Sequence, residues 1–161
     1  NTTVSSHGVD TYTNDNRLKR RTKPDGTAVE LIYDGDGNKV RETVIGTAGF
    51  ADVRTTTFLI DTNNLTTYAQ TVEQFNGTAL AKVYLYGFDL VAQRSVSGGI
   101  QGMVNYFGYD GNGSTRYLSN ALGEITDRYT FDAFGVLIAR TGSTDCRYLY
   151  AGEEFGPGAI L

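Results

Sequence analysis

Two short stretches hold the residues best able to do chemistry. Asp34-Gly35-Asp36-Gly37-Asn38 and Asp110-Gly111-Asn112-Gly113-Ser114 concentrate carboxylates, amides and backbone freedom. Such a stretch can ligate a hard cation, cradle a phosphate or turn a chain sharply. A calcium loop of the helix-loop-helix type needs glycine at its sixth position and glutamate at its twelfth. Counted from Asp34 these positions hold Lys39 and Ile45, and counted from Asp110 the twelfth holds Ala121. A phosphate cradle needs a third glycine or a Gly-Lys-Ser/Thr ending, with a helix behind it. Neither stretch has these, so the expected role of both is a turn, with no metal and no cofactor.

The remaining reactive groups are scattered. His7 is the single histidine, and its neighbours Ser5 and Asp10 are close in sequence only, whereas a catalytic triad is defined by geometry. Cys146 is the single cysteine, which excludes an intrachain disulfide and any Cys-x-x-Cys site. Beside Arg147 its thiol could be activated, but a small buried apolar role is expected. Glu153 and Glu154 could form an acid/base pair. Adjacent strand residues point to opposite faces, however, so one is expected to meet the core or an arginine and the other solvent. Asn1, Asn64, Asn76 and Asn112 lie in Asn-x-Ser/Thr sequons, and turn chemistry accounts for Asn76 and Asn112. No catalytic residue is assigned, and the chain is expected not to be an enzyme.

Composition narrows the elements that position these groups. With 161 residues, 20 glycines, 2 prolines, no tryptophan, 11 tyrosines and 8 phenylalanines, the chain favours strands joined by tight turns, with helix in the minority. Lys and Arg number 14 against 18 Asp and Glu, a net charge of -4, which is not the footprint of a nucleic-acid binder. The one basic cluster, Arg17, Lys19, Arg20, Arg21 and Lys23, reads as a solvated strand face. No apolar run is long enough for a membrane-spanning helix.

Internal repetition is the strongest signal. Tyr12 to Tyr33 is 21 residues, Tyr86 to Tyr109 is 23, and Tyr109 to Phe131 is 22. Each interval holds a polar turn after the aromatic, an alternating run, a second turn and another alternating run. In the first interval the second turn is Pro24-Asp25-Gly26-Thr27; in the interval from Tyr109 it is Asn120-Ala121-Leu122-Gly123. The repeating unit is therefore a β-hairpin of two short strands and two turns. In Asp127-Arg128-Tyr129-Thr130-Phe131 the rings share one face while Arg128 and Thr130 take the other. Tyr12, Tyr33, Tyr86, Tyr109 and Phe131 are the expected structural anchors, buried as one aromatic row. Between Thr55 and Tyr86 the repeat loosens into longer expected strands, TTTFLI, LTTYAQTVEQF and LAKVYLY, with Asn76-Gly77 as a type I′ hairpin signal. No helix longer than two turns is expected.

These residues carry a family resemblance. The stretch Tyr109 to Phe155, YDGNGSTRYLSNALGEITDRYTFDAFGVLIARTGSTDCRYLYAGEEF, with YLYGFDLVAQ before it, resembles the YD repeats and repeat-associated core region of Rhs proteins. The likeness is strong over Tyr84 to Phe155, fair over Tyr12 to Thr43 and weak between Ala48 and Ala81. It implies an all-β fold in which antiparallel hairpin repeats form a curved or spiralling sheet, a segment of a hollow β-shell. In this family, which includes wall-associated proteins, Tc toxin components and teneurins, bacterial shells enclose a C-terminal effector, and the core region precedes a self-cleaving aspartate motif. This sequence continues from Phe155 as GPGAIL, without that motif, so it is expected to be a segment of shell.

The resulting expectations are specific. Residues 1–47 are read as YD-repeat hairpins, 48–83 as an irregular section of longer strands, and 84–161 as a core-like region. The partners implied are neighbouring YD-repeat segments of the same parent chain and an enclosed effector polypeptide, at a bacterial cell surface or after secretion. Open sheet edges are expected to promote association between copies. A rival class is an adhesive or carbohydrate-binding module, in which exposed tyrosines stack on sugar rings.

Overall fold

A computed structural model of the chain describes residues 1–6, 8–47 and 52–156. The fold is all-β. Among the described residues thirteen strands pair in chain order, each with its sequence neighbours. They are β1 (Thr2–Ser5), β2 (Gly8–Tyr12), β3 (Leu18–Thr22), β4 (Ala28–Tyr33), β5 (Lys39–Ile45), β6 (Val53–Asp61), β7 (Gln70–Asn76), β8 (Ala79–Tyr86), β9 (Leu90–Ser97), β10 (Ile100–Tyr109), β11 (Thr115–Ser119), β12 (Ile125–Phe131) and β13 (Leu137–Thr141). Among the described residues helix is confined to short 3-10 turns such as Tyr150–Gly152. The chain divides into two compact units, Asn1–Ala81 and Lys82–Leu161.

In the first unit, cross-strand pairs set the register. Asp10 lies opposite Arg21, and Arg20 lies opposite Glu30. Both pairs are joined by ion pairs, the second at 2.7 Å. The basic cluster is thus not one solvated face. Consecutive arginines alternate across the strand, and each meets a carboxylate on a different neighbour. Glu42 is buried, with Lys39 3.5 Å away, and the Lys39 ammonium lies 4.9 Å from the centre of the Phe58 ring.

The second unit has the clearer core. Leu118, Tyr129, Phe131 and Leu149 are buried together, with Phe107, Leu137, Cys146, Tyr150 and Phe155 packed against them. Burying each of the large members contributes about 1.5–3 kcal/mol. Along β12 the predicted alternation holds: Asp127, Tyr129 and Phe131 are buried while Arg128 and Thr130 are exposed.

Two expectations for the middle section are corrected. LTTYAQTVEQF does not form one strand, because β7 begins only at Gln70. Ahead of it the Asn64 side chain donates to the carbonyls of Asp61 and Tyr68 and accepts from Thr66, which holds this connection as a loop. Such side-chain bonds compete directly with a strand ladder. The Asn76-Gly77 hairpin forms, but its two central residues are Gly77 and Thr78. Only Gly77 has positive φ, at 60°, which fits a type II′ turn rather than I′. The type I′ requirement is met instead between β9 and β10, where Gly98 and Gly99 have φ of 57° and 80°.

Candidate functional site

The repeated feature is the hairpin end. Turns starting at Thr13, Lys23, Asp34, Asp110, Asn120 and Asp132 share one backbone pattern. The first residue's N–H donates to the carbonyl four residues on, and its own carbonyl accepts from the N–H three residues on. The residue that donates this second bond is Asn16, Gly26, Gly37, Gly113, Gly123 or Gly135, and each has positive φ. This is the three-residue hairpin loop closed by a left-handed residue, which asks for glycine or asparagine at that position.

The acidic residue after the aromatic is the acceptor that organises the turn. Asp34 Oδ1 accepts from the N–H groups of Asp36, Gly37 and Asn38 at 3.0, 2.8 and 2.8 Å, while Oδ2 accepts from Asn38 Nδ2. Asp110 Oδ1 accepts from Asn112 and Ser114, and its Oδ2 takes Arg116 Nε at 2.6 Å. Asn120 and Asp132 do the same in their turns. The Asn38 side chain and the amide donors hold the Asp34 carboxyl below its usual range. For Asp110 burial pushes upward, and the bonds from Ser114 and Arg116 outweigh it. The Asp34 and Asp110 carboxylates are thus taken up by donors of their own hairpins, and among the described residues no cluster of three metal-ligating acids, histidines or cysteines occurs.

Each repeat aromatic ends an even-numbered strand. Tyr12 and Tyr33 close β2 and β4 in the first unit; Tyr86, Tyr109 and Phe131 close β8, β10 and β12 in the second. A register shift falls immediately before every one of them. The tyrosine hydroxyls then reach back one hairpin. Tyr33 donates to the Leu18 carbonyl at 2.9 Å, and Leu18 is the strand partner of Tyr12. Tyr109 donates to the Leu90 carbonyl at 2.6 Å, and Leu90 is the partner of Tyr86. Each ring thereby latches its own hairpin to the preceding one. Phe131 is buried, whereas the four tyrosines are half-buried, and the hydroxyls of Tyr33 and Tyr109 are engaged by backbone carbonyls within their own units. Burial drives the Tyr109 phenol above its usual range, and burial with the neighbouring Tyr148 and Tyr84 does so for Tyr86. Both stay neutral, as hydrogen-bonding phenols must.

Sequence reasoning missed a second arrangement. After β13 the chain turns at Gly142 and runs as a strap over the second unit, held by side chains from several strands. Asp127 accepts from Thr144 N–H and Oγ1 at 2.9 and 2.6 Å. Lys82 Nζ donates to the Asp145 carbonyl and to its Oδ2 at 2.7 and 2.8 Å, and Gln93 Nε2 donates to the same carbonyl. Thr115 bonds the carbonyls of Tyr148 and Leu149, and the Ala151 N–H donates to Ser114 Oγ. The signal was present: Lys82 shares its strand face with Tyr84 and Tyr86, and a lysine on a core-facing parity requires a polar partner for its ammonium. Burial pushes the Asp145 carboxyl up, but the Lys82 bond and the charges of Lys82, Arg147 and Arg140 bring it below its usual value.

The other reactive groups are quiet. Burial pushes the Cys146 thiol up to about 11, and its Sγ sits 3.3 Å from the Tyr148 carbonyl. Glu154 pairs with Arg147 at 2.9 Å while Glu153 is exposed. His7, and with it the Ser5, His7 and Asp10 grouping, lies outside the described residues. In the first unit Tyr12, Arg17, Tyr33 and Asp34 line an open hollow of about 470 Å³. The Arg17 guanidinium covers the Tyr33 ring there at 5.7 Å.

No family model matches the chain, and no curated protein does. Solved structures do. TcdB2-TccC3 aligns over 92% of this chain with a TM-score of 0.67 at 16% identity. TcdB2-TccC3 without its hypervariable C-terminal region aligns over 94% at 0.68 and 16%, and TcdB2-TccC3-Cdc42 over 94% at 0.66 and 18%. In each case this chain spans 8% of the matched chain. At these identities the likeness speaks for the fold alone: the antiparallel hairpin sheet of this chain is also found within the TcdB2-TccC3 chains.

Proposed function

We propose that the chain is a structural segment of an Rhs-type β-shell that encloses a C-terminal effector polypeptide, and that it is not itself catalytic. One observation supports this above the others: hairpin ends of one backbone pattern recur along the chain, and in each unit a tyrosine hydroxyl, Tyr33 or Tyr109, ties one hairpin to the preceding one. A sheet built this way extends by adding hairpins, with stability accumulating from neighbour to neighbour. The outer edges of β1 and β13 are where neighbouring repeats of the parent chain join. The setting is a secreted or surface-exposed bacterial protein; among the described residues no helix is long and apolar enough to cross a membrane.

Limited proteolysis of the parent polypeptide tests this reading. The enclosed C-terminal segment should resist protease in the wild type and become cleavable when Tyr33 and Tyr109 are both replaced by alanine. A C-terminal segment equally cleavable in the wild type overturns the enclosure. A second reading, an adhesive saccharide-binding module, is favoured by the hollow beside Tyr12 and Tyr33. Saccharide binding that is lost in Tyr12→Ala would place that reading first.

A further inference from the structure

β10 is ten residues long, but β11 accompanies only its final part, from Tyr106 opposite Ser119 to Tyr109 opposite Thr115. On its other side β9 pairs with β10 from Ile100 onward. Among the described residues, Ile100, Gln101, Val104 and Asn105 therefore carry a ladder on the β9 side only, beyond the turn that joins β11 to β12. Backbone groups of an antiparallel strand alternate in direction, so about half of those in this stretch face no neighbouring strand. Ile100, Gln101, Gly102 and Met103 are all exposed, Ile100 at 76% and Met103 at 75%.

Protein edges are normally blunted by charge, proline or shortness. The segment Ile100-Gln101-Gly102-Met103-Val104-Asn105 has neither charge nor proline. The one charged residue paired with it, Arg94 opposite Val104, has its guanidinium hydrogen-bonded to Gln101 Oε1. By contrast β1 is four residues long, and β13 is five with Arg140 in it. The β10 edge also differs from these outer edges in kind. It lies inside the chain, where the next strand in sequence is already placed and stops short, so added repeats cannot fill it.

We propose that this half-paired stretch of β10 docks against the same stretch of a second copy of the chain, as an antiparallel strand pair about a two-fold axis. A two-fold contact must be self-complementary, and an uncharged segment meets that condition in every register. Ile100 and Met103 supply the apolar cover. A bulge between Gln101 and Val104 limits the number of ladder bonds, so the association is weak and concentration dependent. None of this depends on the shell reading.

Sedimentation equilibrium on the whole chain, from micromolar to millimolar, tests the proposal. A reversible dimer is expected. Ile100→Asp and Met103→Asp, both at exposed positions, should each weaken it by about tenfold or more, because each removes apolar cover and places a carboxylate in the uncharged strand pair. Val4→Asp on β1 and Ile138→Asp on β13 should leave it unchanged. Circular dichroism checks that each variant keeps its fold, and hydrogen exchange in the dimer should slow at amides within 100–105. A monomer throughout the range overturns the proposal. So does a dimer that ignores the β10 variants and is lost with those on β1 or β13.

Discussion

A tyrosine differs from a phenylalanine by one hydroxyl, and at Tyr33 and Tyr109 that hydroxyl ties one hairpin to the previous one. Tyr33→Phe and Tyr109→Phe should each lower stability by about 1 kcal/mol, the net worth of one such bond, read as a drop in the urea midpoint. An unchanged midpoint would show that the rings act by packing alone. The carboxylates give the pH dependence. The Arg21 hydrogen bond holds the Asp10 carboxyl below its usual range, and Asn38 with the turn amides does so for Asp34. A group whose folded pKa is depressed contributes stability that is complete above the unfolded pKa and disappears as pH falls through the folded one. The urea midpoint should therefore be level above about pH 5 and fall below about pH 4, with a shallower fall in Asp10→Asn. A midpoint that rose on acidification would contradict these pairings. Cys146, its thiol pushed up to about 11, should react slowly with iodoacetamide near neutral pH and quickly in urea.

At the scale of the element, the turn is the conserved object within the chain and the strands are what it separates. Gly113 has φ of 75°, a conformation that costs a residue with a β-carbon about 1–2 kcal/mol. Gly113→Ala should lose about that much in chemical denaturation. Asn16→Gly should change little, since asparagine already tolerates the same turn position at φ of 58°. The strap behaves differently, because it is held through side chains from several strands. A β-carbon at Gly142 would lie 2.3 Å from Asp127 Oδ1 and 2.5 Å from the Thr126 carbonyl. Substitution there should disturb the Asp127 bonds to Thr144 more than any turn substitution disturbs its own hairpin.

For the whole molecule, strands that pair in chain order keep contacts local, so each hairpin is stabilised mainly by the next. Leu118 is fully buried in the second unit, and Leu118→Ala should cost about 2–5 kcal/mol through lost burial and the cavity left behind. Native-state hydrogen exchange should be fastest in β1, which is exposed at all four residues and paired on one side, and slowest in β11 and β12. Uniform protection across β1 and β11 would show that the outer strand is covered by something else, such as another copy.

Much of this was legible in the chain itself. Aspartate, glycine and asparagine at fixed offsets after an aromatic are local requirements of a tight turn, and β12 alternates as a half-buried strand must, so the hairpin unit and its length follow from short-range sterics and hydrogen bonding. Other features depend on residues far apart in sequence, which no periodicity records: Lys82 meeting Asp145, Asp127 holding Thr144, and Tyr33 reaching Leu18. Leu65 to Ala69 has strand-like composition, yet its backbone is claimed by Asn64 and Thr66. Arg20 and Arg21 resemble one charged patch until their partners on different strands are placed. Local conformation was set by neighbours along the chain, and the fate of each polar side chain was set by which strand came to lie opposite it.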